Sequence, residues 1–382
     1  MKIAIAPDSF KESMTAGEAC ATFAEGWLSQ RSQDEFIFLP LADGGEGTTV
    51  AICNAVNGVI QHKKVRGPLD QEVNGFIGLW NNRHNAVIEI AAASGLDLLK
   101  RDERNPLLAT SYGTGELIRY ALDQGIKELV IGLGGSATND GGAGLLQALG
   151  VQLLDKNDQQ LPPGGIHLRD LARIDLSTLD PRIHDIRIQV ASDVTNPLLG
   201  QNGASAVFGP QKGATPEQVV MLDQALEHYV MVLEQTTGQQ IRHLPGTGAA
   251  GGTGTAMLSV LNAEFKAGID LILDLMEFDR KISDCDLVVT GEGSLDYQSL
   301  MGKTPQGVLR RSVAANIPVI AVAGSVTNNL DPLYDAGFTA VFGITQAVQS
   351  LEKAMQDGKT NMINCAKNLA RWWTLAHDTG KP

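Results

Sequence analysis

Gly132-Leu133-Gly134-Gly135-Ser136-Ala137-Thr138-Asn139-Asp140-Gly141-Gly142-Ala143-Gly144 lies between two apolar runs, residues 128–131 and 143–149. A short apolar run that ends in glycines and resumes at helical length reads as strand, loop, helix, the unit from which parallel sheets are wound. Glycines let backbone N–H groups approach an anion closely and tolerate positive φ, and the helix turns its positive end toward the same point. The loop is therefore expected to bind phosphate through Gly134, Gly135, Ser136, Thr138, Asn139, Asp140 and Gly141. The plainer alternative is a tight turn, but a turn needs one or two glycines and no cluster of Ser, Thr, Asn and Asp.

The same alternation recurs at both ends of the chain. Residues 2–6 read as a buried strand, and Thr15-Ala16-Gly17-Glu18 is a capping box that opens a helix to about Gln30. A second strand over 35–41 leads to the Gly-rich turn that holds Asp43 and Glu46, and a helix follows to about Val56. Residues 59–65, 73–79 and 85–90 are strand-like with no helix between them, which predicts an antiparallel meander. Beyond it come a helix over 114–124, strands over 151–154 and 186–191, and a long helix announced by Thr215-Pro216-Glu217-Gln218. A second glycine cluster, residues 246–254, precedes another helix. From Asp286 onward β/α alternation returns, with strands over 287–290, 318–323 and 339–344 and a final helix over 351–376.

The expected fold is therefore α/β with two domains. Residues 1–60 and 285–382 form a discontinuous Rossmann-like or flavodoxin-like parallel-sheet domain. Residues 61–284 form a second α/β domain, inserted in the first and carrying the phosphate loop. A chain of 382 residues is long enough for two cores.

Composition excludes several function classes. No apolar run reaches membrane-spanning length, and the first residues run from a strand into a polar loop without a signal sequence, so the expected location is the cytoplasm. A net charge of −13 argues against nucleic acid and requires any anionic substrate to meet a local cationic pocket. The four cysteines are widely spaced and the seven histidines scattered, which suggests neither a disulfide frame nor a zinc site. A monomer or homodimer is expected.

Nucleotide motifs sort the remaining possibilities. Gly302-Lys303-Thr304 ends like a P-loop but has Tyr297 where the first glycine belongs. Gly132-x-Gly134-x-x-Ala137 with Asp155 at the end of the following strand has the spacing of a dinucleotide fingerprint, although the polar insert 138–140 delays the helix. This keeps a NAD(P)-dependent dehydrogenase of a small hydroxy acid open as an alternative, beside a non-catalytic nucleotide sensor. Phosphoryl transfer asks for backbone donors, a cation, carboxylates for Mg²⁺ and a base. Asp193 and Asp296, each just past a predicted strand, are candidates for metal ligand and base, and Lys303 for charge neutralisation. Asp8, Ser9 and Lys11 after the first strand are further site candidates, with Arg66 and Lys212 as candidate cations for an anionic substrate.

With these residues identified, the chain resembles the bacterial type I glycerate kinase family over essentially its whole length. Matching segments include Ala6-Pro7-Asp8-Ser9-Phe10-Lys11, Glu89-Ile90-Ala91-Ala92-Ala93-Ser94-Gly95-Leu96, Tyr112-Gly113-Thr114-Gly115-Glu116, residues 134–142, Asp193-Val194-Thr195-Asn196-Pro197, residues 207–214, and Gly291-Glu292-Gly293-x-x-Asp296. The resemblance implies ATP- and Mg²⁺-dependent phosphorylation of D-glycerate, at the 2-hydroxyl, by a two-domain fold with one domain inserted in a Rossmann-like one. Ser294 stands where relatives usually carry Arg, so an anion contact made by that Arg is supplied elsewhere or lost.

Overall fold

A computed structural model describes residues 1–42, 47–296, 299 and 304–378. Asp43, Glu46 and Lys303, singled out above, lie outside the described residues. In chain order the strands are β1 (Lys2–Pro7), β2 (Glu35–Phe38), β3 (Val59–Arg66), β4 (Glu72–Trp80), β5 (Asn85–Glu89), β6 (Glu128–Gly132), β7 (Gln152–Leu154), β8 (Arg173–Asp175), β9 (Arg187–Ala191), β10 (Glu264–Lys266), β11 (Leu287–Leu295), β12 (Val319–Val326) and β13 (Ala340–Gly343).

Contacts divide the chain into two compact units, Met1–Asp43 with Ile269–Pro382, and Gly44–Gly268. These boundaries lie earlier than the changes of pattern near 60 and 285. The helix Thr48–Val56 packs on β4 and β5, so it belongs with the strands that follow it, and the helix Phe278–Ile282 packs on Thr304–Ala314.

The first unit is a five-stranded sheet in the order β13-β12-β11-β1-β2, with every pair parallel. Counted within the unit this is the flavodoxin-like order 2-1-3-4-5, whose winding reverses between β1 and β11; ligands of such sheets bind outside the carboxyl ends at that point. The helix Ala16–Leu28 carries the capping box read from Thr15 and Glu18, and it crosses Gly358–Asp378 closely. Gly26 permits the crossing, because a Cβ there would lie 2.3 Å from the Ile363 carbonyl oxygen. The final helix is two: Leu351–Gln356 ends at Asp357 and Gly358–Asp378 restarts, since the chain must pass against Ser13, whose Oγ would lie 2.0 Å from a Cβ at Gly358.

The second unit is a six-stranded mixed sheet in the order β10-β9-β6-β5-β4-β3. The meander β3-β4-β5 is antiparallel, and β5, β6, β9 and β10 run parallel. The strand expected to follow the glycine loop in a dinucleotide fold, β7, pairs instead with β8 in a separate two-stranded antiparallel sheet. Asp155 accordingly caps a surface turn, accepting the N–H groups of Asn157 and Gln159 at 2.8 and 2.9 Å. The fingerprint spacing is therefore not carried by a βαβ unit. The long helix Pro216–Thr237 has the predicted cap, with Thr215 and Gln218 bonding reciprocally.

Candidate active site

In the second unit, β5, β6 and β9 end side by side, with Glu89 opposite Gly132 and Gly132 opposite Ala191. The glycine loop thus leaves the sheet beside the segment that holds Asp193. Gly134 and Asp193 each stand two residues beyond the paired positions Gly132 and Ala191. Asp193 is exposed, and its carboxylate accepts the Gly268 N–H at 3.0 Å.

Most of the loop faces inward. Gly135 is exposed and Gly134 half-buried, whereas residues 136–142 are buried. Gly135, Gly141 and Gly142 have φ of 73°, 64° and 78°, the left-handed region that glycine enters without a Cβ penalty. Asp140, expected to meet phosphate, is instead an internal bracket. Its carboxylate accepts Ser111 N–H and Ser111 Oγ–H, both at 2.8 Å, and the N–H groups of Gly142 and Gly144, both at 3.2 Å. Burial pushes this carboxyl above its ordinary range, and the four donors pull in the opposite direction. Asn139 likewise turns inward and donates to Ser205 Oγ at 2.9 Å. Ser136 and Thr138 are 5% and 0% exposed.

Lys212, expected to meet an anionic substrate, is buried within the protein. Only 2% exposed, it donates to Ser136 Oγ at 2.9 Å and to the Thr138 carbonyl at 2.7 Å, under the loop. Burial lowers its pKa to about 7, with Asp140 opposing the shift. Arg66 ends β3 on the same edge of the sheet, where its guanidinium lies 4.2 Å from the Tyr112 ring and 3.0 Å from Asp70.

The sequence reading gave no role to several residues that build this loop. Ser111 links Asp140 to the helix Tyr112–Asp123, and Ser94 bonds Thr114 at 2.8 Å while its carbonyl accepts the Ala137 N–H. Ala250, Gly251 and Gly252 form a left-handed turn with φ of 52°, 66° and 89°. The Gly251 carbonyl receives the Gly141 N–H at 3.0 Å. Glu89 accepts the Thr49 N–H at 2.6 Å at a helix start. A glycine cluster of the density seen at 246–254 signals such close approach, whereas Ser111 and Ser94 carry no local signal.

In the first unit a cavity of about 820 Å³ opens at the carboxyl ends of β1, β11, β12 and β13, which includes the winding reversal. Asp8, Ser9, Lys11, Glu292, Ser294 and Ser325 are among its lining. Asp8 accepts the Ser9 N–H at 2.6 Å and the Thr304 hydroxyl at 2.7 Å, so the loop after β1 is fastened to the start of the helix Thr304–Ala314. Lys11 is exposed, and Ser294 accepts the Ser325 hydroxyl at 3.0 Å. Asp296 caps the turn after β11, accepting the Ser299 N–H at 3.3 Å. Asp193 and Asp296 thus belong to different units, each at the carboxyl edge of its own sheet.

Among the described residues, no group of three or more His, Cys, Asp and Glu side chains could hold a metal ion. Mg²⁺ is nonetheless commonly bound by one or two carboxylates completed by substrate phosphates and water, and the exposed carboxylate of Asp193 fits that chemistry. Among the described residues no helix is long and apolar enough to cross a membrane.

The profile of the Glycerate kinase family matches residues 3–374. The chain is 48% identical to the glycerate kinase of Haemophilus influenzae over 371 residues, covering 97% of this chain and 98% of the relative. It is 45% identical to the glycerate 2-kinase of Escherichia coli K12 over 370 residues, covering 97% of each. A crystal structure of a presumptive glycerate kinase 2 from Salmonella typhimurium LT2 superposes with a TM-score of 0.89 at 45% identity, covering 99% of this chain and 100% of that one. A glycine loop beside an exposed aspartate at a parallel-sheet edge, and a match along nearly the full chain, agree: the chain belongs to the glycerate kinase family and is a phosphotransferase.

Proposed function

We propose that the chain transfers the γ-phosphoryl group of ATP to the 2-hydroxyl of D-glycerate, giving 2-phospho-D-glycerate and ADP, in the cytoplasm. The observation that carries the reading is the adjacency of Gly134 and Gly135 to Asp193 across the β6/β9 edge. Backbone donors for phosphate and a carboxylate for base or metal are what a loose phosphoryl-transfer transition state requires, since catalysis there is positioning plus electrostatics. The relative named glycerate 2-kinase, 45% identical over nearly all of both chains, supports the 2-hydroxyl as acceptor.

Gly134 and Gly135 meet the nucleotide phosphates, and Asp193, in the same unit, serves as Mg²⁺ ligand or base. Bound Mg²⁺ neutralises charge on the phosphates. Asp8, Ser9 and Lys11, on the carboxyl edge of the first unit's sheet, hold glycerate, with the exposed ammonium of Lys11 as its carboxylate partner. The separation of β7 from the main sheet disfavours the dehydrogenase alternative.

Incubation with MgATP and D-glycerate, read by ³¹P NMR, tests the proposal. Formation of 2-phosphoglycerate with ADP supports it. Formation of the 3-phosphate overturns the assigned acceptor, and a thermal shift with NAD(P) but none with MgATP overturns the reading of the loop.

A further inference from the structure

We infer that Lys212 is a positioning residue for the glycine loop: its buried amino group sets the curvature that leaves Gly134 and Gly135 at the surface, and it supplies from beneath them the positive charge that a phosphate meets. The inference rests on the reading that nucleotide phosphate docks at those two glycines.

The loop is held at successive points. Lys212 Nζ bridges Ser136 Oγ and the Thr138 carbonyl, and between them the Ala137 N–H donates to the Ser94 carbonyl at 2.8 Å. Leu96 N–H fixes the Gly135 carbonyl at 2.9 Å. On the far side Gly251 presses so closely that a Cβ there would lie 1.9 Å from the Thr138 oxygen. Lys212 is itself anchored. It ends the 3₁₀ turn Pro210–Lys212, its N–H bonds the Gly209 carbonyl at 3.0 Å, and Gly213 leaves in a left-handed conformation with φ 96°. Ser136 directly follows the accessible pair, so the amino group lies one residue from where the anion would sit.

Burying an ammonium is costly unless it is bonded and compensated. Its charged neighbour is Asp140, whose carboxylate already serves four donors in the same loop. Behind it, Arg104 donates to the Gln211 carbonyl at 3.2 Å. Tyr229 packs against Gly141, its hydroxyl held protonated by burial. An amine with a pKa near 7 is only partly protonated in mildly alkaline solution, and an adjoining phosphate favours the charged form. Nucleotide binding is thereby coupled to proton uptake at Lys212.

The test uses the full-length protein. Calorimetric titration of MgATP at about pH 8, in two buffers of different ionisation enthalpy, reads protons exchanged on binding. Wild type is expected to take up a fraction of a proton. K212R, whose guanidinium stays charged, and K212M are expected to take up none. K212M should raise KM for ATP about tenfold or more while leaving KM for glycerate near its original value, and K212R should recover part of the loss.

No proton uptake by wild type would overturn the inference, as would uptake and ATP KM both unchanged in K212M. If K212M fails to fold, wild type and K212R decide. Gly135→Val tests the underlying reading separately, at an exposed position with φ 73°. An unchanged ATP KM there removes the loop from nucleotide binding, whereas a raised KM in G135V beside an unchanged one in K212M sinks only the role of Lys212.

Discussion

Asp140→Ala and Asp140→Asn separate the carboxylate's hydrogen bonds from its side-chain bulk. One oxygen accepts Ser111 N–H, Ser111 Oγ–H and Gly144 N–H, and the other accepts Gly142 N–H. An asparagine with its carbonyl on the three-donor side keeps three bonds and sets its NH₂ against the Gly142 N–H, at a cost of about 1–3 kcal/mol for one unsatisfied buried donor. Alanine strands all four. Partial relaxation prevents simple addition, so the expected loss is about 3–5 kcal/mol, a large fraction of an ordinary domain's stability. Alanine also takes from Lys212 the carboxylate that opposes its desolvation, so the amine loses its proton at still lower pH. Urea denaturation at neutral pH measures both variants, and a domain of this size loses about 2–4 °C in Tm per kcal/mol. The reasoning fails if D140A is no less stable than D140N, or if both match wild type.

Other substitutions probe neighbouring parts of the account. Asp193→Asn should keep the fold, since the side chain is exposed, and lower kcat by about 10²–10⁴-fold if it is the base; a near-normal kcat in steady-state assays ends that assignment. Gly251→Ala puts a methyl 1.9 Å from the Thr138 oxygen at φ 66°, so thermal denaturation should show a loss of about 2–4 kcal/mol, and wild-type stability would contradict the close packing. Because Lys212 is depressed from 10.5 to about 7, the unfolded chain binds the extra proton between those values. Stability from this group is therefore present above the upper value and lost as pH falls through the lower one. Urea midpoints of wild type minus K212M should rise across that window, and a flat difference would refute the buried titration.

The flavodoxin-like unit was legible because its signals are local. Buried strands such as Lys2–Pro7 read as apolar runs, and Thr15 with Glu18 marks a helix start. The meander was equally plain from period-2 runs separated by turn residues. What escaped the reading depends on distant partners. Nothing near Val151 reveals that β7 pairs with β8 outside the main sheet. Nothing near Asp140 or Lys212 reveals that both side chains are buried and bonded to Ser111, Ser136 and Thr138 within the protein. Residue type proposed chemistry for both, and burial reassigned them to architecture. Asp193 shows the reverse pattern: its sequence context placed it just past a strand, and it lies exposed at the edge of the sheet.

The central claim is that the accessible part of the glycine loop receives the triphosphate. A crystal structure with a non-hydrolysable ATP analogue, Mg²⁺ and D-glycerate tests it most directly. The account predicts terminal phosphate oxygens within hydrogen-bond distance of the Gly134 or Gly135 N–H groups. A triphosphate bound elsewhere, with both amides untouched, would contradict it.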